Sequence, residues 1–478
     1  MNSTAGSPSP LPSRRQFLQT SGRFAAASAL AGVVLPHVHA AERNTIQLAL
    51  IGCGGRGAGA VANAMSAGGL VLGDLSGRQA APGEQPLGPV KLVAMADIRP
   101  DRLNGTHTTL KETLGAAVDV PPERRFLGFD AYRKAIDCLR PGDVALLTTF
   151  SSFRAQHFEY AVERGVNVFM EKTFGPDPGS IQRLLRASEK AEQKNLKVGC
   201  GLMCRHSSAR QAMINQIRDG RIGDILNIRA YRMDPGYFLP PFARNQNELL
   251  WQLSPGHPYQ FMWSSGGIFL ELMIHQMDEV FWLKDGWPVA AHGVGGRFAG
   301  STDASQNLDS YSVEYTFADG SKLFFYGRCM EGCNDAFASY AHGSKGLAVI
   351  SSNSHWPSSA RIYKSQKMTN ADIAWRAPKE GPELDPYQVE WQDLVDAIRN
   401  NTPYNEVKRS VQASLTCVLG RKAAHTGQKI TYDEIWNGTE ELAPNVENLT
   451  ADGPAPVMPD ADGRYPVPQP GLKKNTEY

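Results

Sequence analysis

The sequence has no excess of charge of either sign, since 49 lysines and arginines are balanced by 48 acidic residues, for a formal net charge of +1. Nucleic-acid-binding chains normally carry a strong basic excess, so this balance argues against that class. The sequence has no internal repeat, which argues against a fibrous repeat protein. The composition is that of an ordinary globular protein, with 42% hydrophobic and 20% charged residues. Its 478 residues predict two or three domains.

Cysteine is scarce, with seven residues in the chain. Two pairs share one spacing, Cys200 with Cys204 and Cys329 with Cys333. No histidine joins them at the spacing of a zinc finger, and the first pair flanks a strand-like run. We therefore expect buried thiols or an opportunistic disulfide rather than a metal tetrad, and no metal site is assigned.

The N-terminus resembles an export signal. Arg14 and Arg15 form a twin-arginine pattern, and a weakly apolar run of about twelve residues follows, shorter than the about 20 that span a membrane. Val38-His39-Ala40 then offers small side chains to a signal peptidase. This pattern predicts a signal peptide over 1–40, a periplasmic or otherwise exported protein that uses the twin-arginine route, and no membrane span after cleavage. An uncleaved anchor, or a chance arginine pair before an amphipathic helix, is the alternative.

The rest of the chain changes its hydrophobic pattern once. Buried-strand runs alternate with helical stretches in the first part, which predicts a doubly wound parallel sheet over 41–175, interrupted by a Gly/Pro-rich loop at 67–89. Polar and apolar residues alternate later, which predicts an α/β domain over 176–437 with a large, open, mainly antiparallel sheet. Helices at 389–426 close this domain and are expected to pack back on the first. A proline-rich, extended tail over 438–478 follows.

A glycine-rich turn follows the first predicted strand. It reads Gly52-Cys53-Gly54-Gly55-Arg56-Gly57, and it opens a helix. Glycines let the backbone approach a pyrophosphate, whose charge the helix N-terminus stabilises. Asp97 ends the second strand, where it would bind an adenine-ribose diol and favour NAD, whereas nearby Arg99 leaves NADP open. A mononucleotide or phosphate site, or a turn whose glycines only permit packing, is the alternative.

Two further clusters carry candidate acid–base chemistry. Glu171 and Lys172 end a strand at the carboxyl edge of the parallel sheet, where ligands bind in such folds. A surface ion pair is the alternative there. Glu271, His275 and Asp278 share one face of an otherwise apolar helix, which suits proton transfer. A core histidine, or a divalent metal held by two carboxylates and one histidine, is the alternative.

In this order, these motifs resemble the Gfo/Idh/MocA oxidoreductases, the family of glucose-fructose oxidoreductase and inositol dehydrogenase. The resemblance covers about 45–437 and extends to an exported bacterial branch. It implies an N-terminal Rossmann domain, NAD or NADP, a carbohydrate substrate, and a homo-oligomer, dimer or tetramer. Lys172 matches the lysine of the family's Glu-Lys-Pro motif, although Thr173 replaces the proline. His275 matches the histidine of the second-domain helix, with Glu271 in place of the commoner aspartate.

By this resemblance, His275 oriented by Glu271 takes the proton of a sugar hydroxyl, and Lys172 stabilises or relays charge. The remaining expected ligands are cofactor contacts at the glycine turn, Arg56, Asp97, Arg99 and Glu171, and substrate contacts at Asp278, Arg205, Tyr231, Arg232 and Trp263. An exported enzyme must recycle its bound cofactor, either by reducing a second substrate or in a redox-neutral glycosidase or lyase cycle. A non-catalytic sugar-binding protein is the third hypothesis.

Overall fold

A computed structural model describes residues 45–67, 89–355, 358–377 and 384–478. The predicted export signal and nearly all of the predicted loop at 67–89 lie outside these ranges. Within them, no helix combines the length and apolarity needed to cross a bilayer.

The first sheet is parallel throughout, with strand order β3-β2-β1-β4-β5-β6. This order is that of a doubly wound dinucleotide-binding sheet, as the sequence predicts. Its strands are almost wholly buried because helices cover both faces, except for the short edge strand β3, none of whose residues is buried. They are β1 Ile46–Ile51, β2 Val90–Asp97, β3 Arg125–Leu127, β4 Val144–Leu147, β5 Asn167–Met170 and β6 Val198–Cys200.

The helices of the first sheet begin with recognisable local signals. In Pro178–Gln193, the carboxylate of Asp177 accepts a hydrogen bond from the Ser180 N–H at 2.9 Å, and Pro178 occupies the first position, where its missing N–H costs nothing. The other helices that connect the strands are Gly55–Ala67, Pro100–Leu114, Ala131–Ile136 and Arg154–Glu163.

The second sheet has nine strands in the order β14-β13-β12-β11-β7-β10-β9-β8-β15. It is mainly antiparallel, as predicted, but β7 and β10 pair in parallel. Asp319-Gly320, a dipeptide typical of hairpin turns, joins β9 to β10, and Gly320 takes the positive φ of 84° that this turn requires. The strands are β7 Ile225–Asp234, β8 Ala290–Gly296, β9 Ser310–Thr316, β10 Lys322–Cys329, β11 Ala336–Gly343, β12 Leu347–Ser352, β13 Arg361–Tyr363, β14 Ile373–Arg376 and β15 Ile430–Thr431.

Two long helices, Gly267–Lys284 and Val407–Thr426, lie between this sheet and the first one, and a single hydrophobic core runs through both parts. The closing helix Pro386–Arg399 packs on the parallel sheet, where Trp391 stacks on Phe169 at 4.4 Å between ring centroids. The shorter helices of this part are Ser208–Arg218, Glu248–Gln252, Met262–Ser265 and Tyr432–Trp436.

The C-terminal tail is extended, as its prolines predict. Its one short helical turn past 438 is the 3-10 segment Val446–Asn448. The tail nevertheless ends in the interior of the protein, because Glu477 forms buried ion pairs with Arg421 and His425 at 2.8 Å each.

Candidate active site

The glycine turn after β1 is built from positions that exclude a larger side chain. Gly52 has a φ of 98°, and a Cβ there would lie 2.8 Å from the Thr149 nitrogen. A Cβ on Gly57 would lie 2.4 Å from the Gly52 carbonyl oxygen. A Cβ on Gly54 or Gly55 would meet no atom within 4 Å. The turn is therefore packed on the protein side and open on the other, as a ligand-binding turn must be.

An open cleft of about 1020 Å³ extends from this turn. Asp97 lines it from the end of β2, and its carboxylate accepts hydrogen bonds from the backbone N–H of Cys53 at 2.6 Å and of Arg99 at 2.9 Å. Burial raises the pKa of Asp97, although these bonds oppose the shift. Other residues that line the cleft include Gly52, Gly54, Gly55, Arg99, Thr148 and Tyr259.

The predicted cofactor contacts Arg56 and Glu171 are placed elsewhere. The Arg56 Nε lies 2.5 Å from Glu171 Oε1, and a second nitrogen lies 3.2 Å from Glu390. The guanidinium also covers the Tyr387 ring at 4.3 Å. Neither residue lines the cleft, because these partners hold both side chains in an ion-pair network between the turn and the closing helix.

Lys172 is fixed by Glu271. Its Nζ donates to Glu271 Oε2 and to the Glu271 carbonyl oxygen, both at 2.7 Å, and the Thr173 hydroxyl lies 3.3 Å from the other carboxylate oxygen. The Lys172–Thr173 peptide bond is cis. The sequence predicted Glu271 as the partner of His275, but the carboxylate is joined to Lys172 instead.

Tyr259 is a cleft residue whose ionisation is influenced by the charge of Glu271. It lies in the 3-10 segment Pro258–Gln260 and lines the cleft. The Glu271 carboxylate nearby, together with burial, raises the pKa of Tyr259 to about 12. No sequence motif marks Tyr259, so it was not predicted as a site residue.

His275 lies one turn after Glu271 on the same helix and is 7% exposed. Its ring centroid is 4.3 Å from that of His355, which follows β12 and was also missed. Its Nδ1 has no hydrogen-bond partner in the part of the chain that the structure describes. Burial, and then the charges of Lys172 and Arg232, lower the pKa of His275 well below its usual value, so the ring is neutral.

The predicted substrate contacts separate into three groups. Arg205 and Asp278 bind each other, with guanidinium–carboxylate distances of 2.7 to 2.9 Å. Arg232 lies beside the two histidines, with one nitrogen 3.3 Å from His355 Nε2.

The other two lie away from the histidines. Tyr231, on the opposite face of β7 from Arg232, stacks on Tyr326 with ring centroids 5.4 Å apart. Trp263 is fully buried and donates its indole N–H to Gln252 at 2.7 Å.

No protein-family model matches the chain, and no curated protein sequence matches it significantly. Solved structures do match over four fifths of its length. The myo-inositol 2-dehydrogenase of Lactobacillus plantarum aligns with 81% of this chain and 99% of its own, at 18% identity and a TM-score of 0.56. The scyllo-inositol dehydrogenase of Lactobacillus casei, solved with NAD(H) and scyllo-inositol, aligns with 82% of this chain and 100% of its own, at 20% identity and a TM-score of 0.56.

An aldose-aldose oxidoreductase from Caulobacter crescentus, complexed with glycerol, aligns with 81% of this chain and all of its own, at 15% identity and a TM-score of 0.57. The chain therefore has the α/β fold of the inositol dehydrogenases and related Gfo/Idh/MocA oxidoreductases, with the parallel sheet first and the large open sheet second.

Proposed function

We propose that this protein is an NAD(P)-dependent oxidoreductase that acts on a CH–OH group of a sugar, a cyclitol or a derivative. The observation that carries the proposal is the glycine turn, which is open at Gly54 and Gly55 and faces a cleft that Asp97 lines from the end of β2. A turn that can hold a nucleotide, in a chain that also joins Lys172 to Glu271 in an ammonium–carboxylate pair, suits hydride transfer coupled to proton transfer.

The residues of the cleft fit a dinucleotide. The open sides of Gly54 and Gly55 leave space for a pyrophosphate at the N-terminus of the helix Gly55–Ala67. Asp97, at the end of β2, is placed to accept the ribose hydroxyls, which favours NAD over NADP. When bound, the nicotinamide would supply the hydride acceptor for the substrate carbon.

Lys172 is the residue best placed to relay the proton of the substrate hydroxyl, since its Nζ can pass one proton to Glu271 Oε2 and accept the hydroxyl proton in its place. Glu271 holds its ammonium by two hydrogen bonds of 2.7 Å, so the group is oriented before any substrate binds. An ammonium in this position also stabilises negative charge that develops on the substrate oxygen. His275, one helical turn after Glu271 on the same helix, is the second candidate for contact with this oxygen.

The substrate class is supported by the inositol and aldose enzymes that share the fold. The N-terminal pattern over 1–40 supports export by the twin-arginine route after cytoplasmic folding. Because the periplasm offers no NAD(H) pool, we propose that the chain keeps its cofactor and recycles it in place.

The test is product analysis on a panel of sugars and inositols with a second carbonyl substrate present. A ketone or lactone, formed in equal amount to a reduced second product, is the expected result. A free sugar released from a glycoside without net redox change would replace the proposal with a redox-neutral glycosidase. Sugar binding without conversion, equally strong in Lys172→Met, would indicate a binding protein.

A further inference from the structure

One cysteine and two histidines from distant parts of the sequence meet beside Lys172. Cys204 lies in the 3-10 segment Met203–His206 after β6, His275 on the helix Gly267–Lys284, and His355 after β12. One sulfur or nitrogen atom of each lies within 4.8 Å of the other two. We propose that these three side chains, which we call the CHH cluster, form a binding site for a divalent transition metal, of which Zn²⁺ fits the ligands best.

The ligand types and the burial favour this ion. Zn²⁺ binds thiolate and imidazole at about 2.0 to 2.3 Å, and sites with three protein ligands keep a fourth position open. The Cys204 sulfur lies 3.6 Å from His355 Nδ1, and Cys204 is only 1% exposed. Closing the cluster around an ion requires shifts of about 1 Å, within the reach of side-chain rotation.

The unpartnered nitrogen of His275 is an independent observation. The residue is 7% exposed, yet its Nδ1 has no hydrogen-bond partner among the residues that the structure describes. Buried polar atoms are normally satisfied by a protein group, a water or an ion. A metal ion held with Cys204 and His355 would give this Nδ1 atom a partner.

The charges around the CHH cluster tolerate a cation because each nearby cationic side chain already has a carboxylate. The four ion pairs are Lys172–Glu271, Arg205–Asp278, Arg210–Glu279 and Arg232–Asp234, at 2.5 to 2.7 Å. Because a thiolate is negatively charged, Cys204 would also offset part of the charge of the ion. Arg232 must turn away from His355 when the metal binds, and Asp234 and the Phe337 ring are its remaining partners.

A cation at this site has a clear use in the proposed reaction, and this part of the inference rests on the proposed function. Its open fourth position could hold the substrate hydroxyl oxygen close to Lys172, as a Lewis acid that favours loss of the hydroxyl proton. The binding of the ion does not depend on that role, so it can be tested without turnover.

The test measures metal binding on the purified full chain. Metal content is determined as isolated, the protein is stripped with a chelator, and Zn²⁺ and Co²⁺ are titrated back against a chromophoric competitor. Cys333→Ser serves as the background, since this exposed thiol could bind metal adventitiously. We expect one equivalent of Zn²⁺ per chain, and a thiolate-to-Co²⁺ charge-transfer band in the cobalt form.

In the same background, Cys204→Ser and His355→Ala are each expected to weaken Zn²⁺ binding at least 100-fold, and Cys204→Ser to abolish the charge-transfer band. Cys200→Ser, a buried thiol four residues earlier, is the matched control and should bind like the background. His355 is partly exposed, so its variant tests the site even if Cys204→Ser fails to fold. A chain that neither retains nor binds either ion, or variants that bind Zn²⁺ as tightly as the background, would overturn the proposal. Nucleotide content, measured on the same samples, shows separately whether the proposed function fails.

Discussion

At the scale of single residues, the chemistry of the site depends on which charged side chains form ion pairs with each other. Lys172 and Glu271 are joined by their side chains, whereas Arg205 and Asp278 are engaged with each other. The sequence placed all four near the site but could not assign these partners. Hydrogen-bond partners that lie about 70 to 100 positions apart depend on how the long helix is rotated, and helical spacing alone does not fix that rotation.

The first prediction concerns Lys172→Met. The substitution removes the ammonium and keeps an unbranched chain of similar length, so kcat should fall by about 10² to 10⁴, the usual contribution of a positioned proton-transfer group. Bound nucleotide should be unchanged because Lys172 does not line the cleft. Steady-state kinetics and nucleotide quantification are the measurements.

Lys194→Met is the matched control. Its ammonium donates only to the carbonyl oxygens of Val162 and Glu163 in the described contacts, far from Glu271, so its kinetics should equal those of the wild type. A Lys172→Met enzyme within about tenfold of wild-type kcat would remove this lysine from the mechanism.

The second prediction concerns Asp97→Asn. An amide keeps the shape of the side chain and still accepts the Cys53 N–H bond, but it no longer repels a 2′-phosphate. The ratio of NAD to NADP affinity should fall about 10- to 100-fold, as expected from the loss of a charged hydrogen bond worth about 1.5–3 kcal/mol. Fluorescence titration of both nucleotides measures this ratio. It should stay constant in Asp119→Asn, which changes an exposed carboxylate, and an unchanged ratio in Asp97→Asn would show that Asp97 does not contact the ribose.

At the scale of secondary-structure elements, the sequence predicts those helices and strands that a local hydrophobic pattern determines. The strands β1, β2, β4 and β5 coincide with apolar runs of the first part, and the β9–β10 hairpin turns at Asp319-Gly320. The strand Ala336–Gly343 was not predicted, because its small and polar residues carry no clear alternation. Its strand conformation comes from pairing with β7 and β12.

The CHH cluster was not predicted from the sequence for the same reason, because it also depends on tertiary contacts. Cys204 was noted for its spacing to Cys200, and His275 for its helix, but nothing in the sequence connects either to His355. The three elements meet only because the large sheet packs against the helix Gly267–Lys284 and the end of the parallel sheet. Contacts of this kind follow from tertiary packing and have no local signature.

The third prediction tests the glycine turn. In Gly54→Ala, the new Cβ meets no protein atom within 4 Å, so the free energy of unfolding should change by less than about 1 kcal/mol. The same Cβ occupies space that a pyrophosphate must approach, so nucleotide affinity should fall at least about 100-fold. Urea unfolding and isothermal titration calorimetry measure the two effects.

Gly105→Ala is its control, because Gly105 is an exposed position inside Pro100–Leu114 where a Cβ also meets nothing. It should stabilise the helix by about 0.5–1 kcal/mol and leave nucleotide binding unchanged. Wild-type affinity in Gly54→Ala would place the ligand somewhere other than on this turn.

At the scale of the whole molecule, the extended tail is part of the folded structure. Arg421 and Glu477 form a buried ion pair at 2.8 Å, and His425 donates to the same carboxylate. Burial alone would raise the pKa of Glu477, but Arg421 and His425 outweigh it and hold this pKa well below 4.5. The last residues of the chain therefore stabilise the helix Val407–Thr426, which packs against the site helix.

The fourth prediction is that Glu477→Gln loses about 3–5 kcal/mol of unfolding free energy at neutral pH, because it leaves the Arg421 charge buried without its partner. The folded pKa of Glu477 is depressed, so its contribution is complete above pH 4.5 and declines as the pH falls below that value. The difference between wild type and variant in urea unfolding should shrink accordingly. Asp452→Asn, an exposed change in the same tail, should match the wild type, and a Glu477→Gln protein of wild-type stability would show that the tail contributes nothing.

The central claim is that the cleft holds a nicotinamide dinucleotide that the protein keeps through its reaction. The most direct test is to purify the chain from an exported preparation, denature it, and identify the released nucleotides by mass spectrometry. We predict close to one NAD or NADP per chain, and NAD if Asp97 contacts the ribose. A protein that is isolated empty and does not bind added NAD or NADP would contradict the claim, and a sugar-binding protein with this fold would then be the better account.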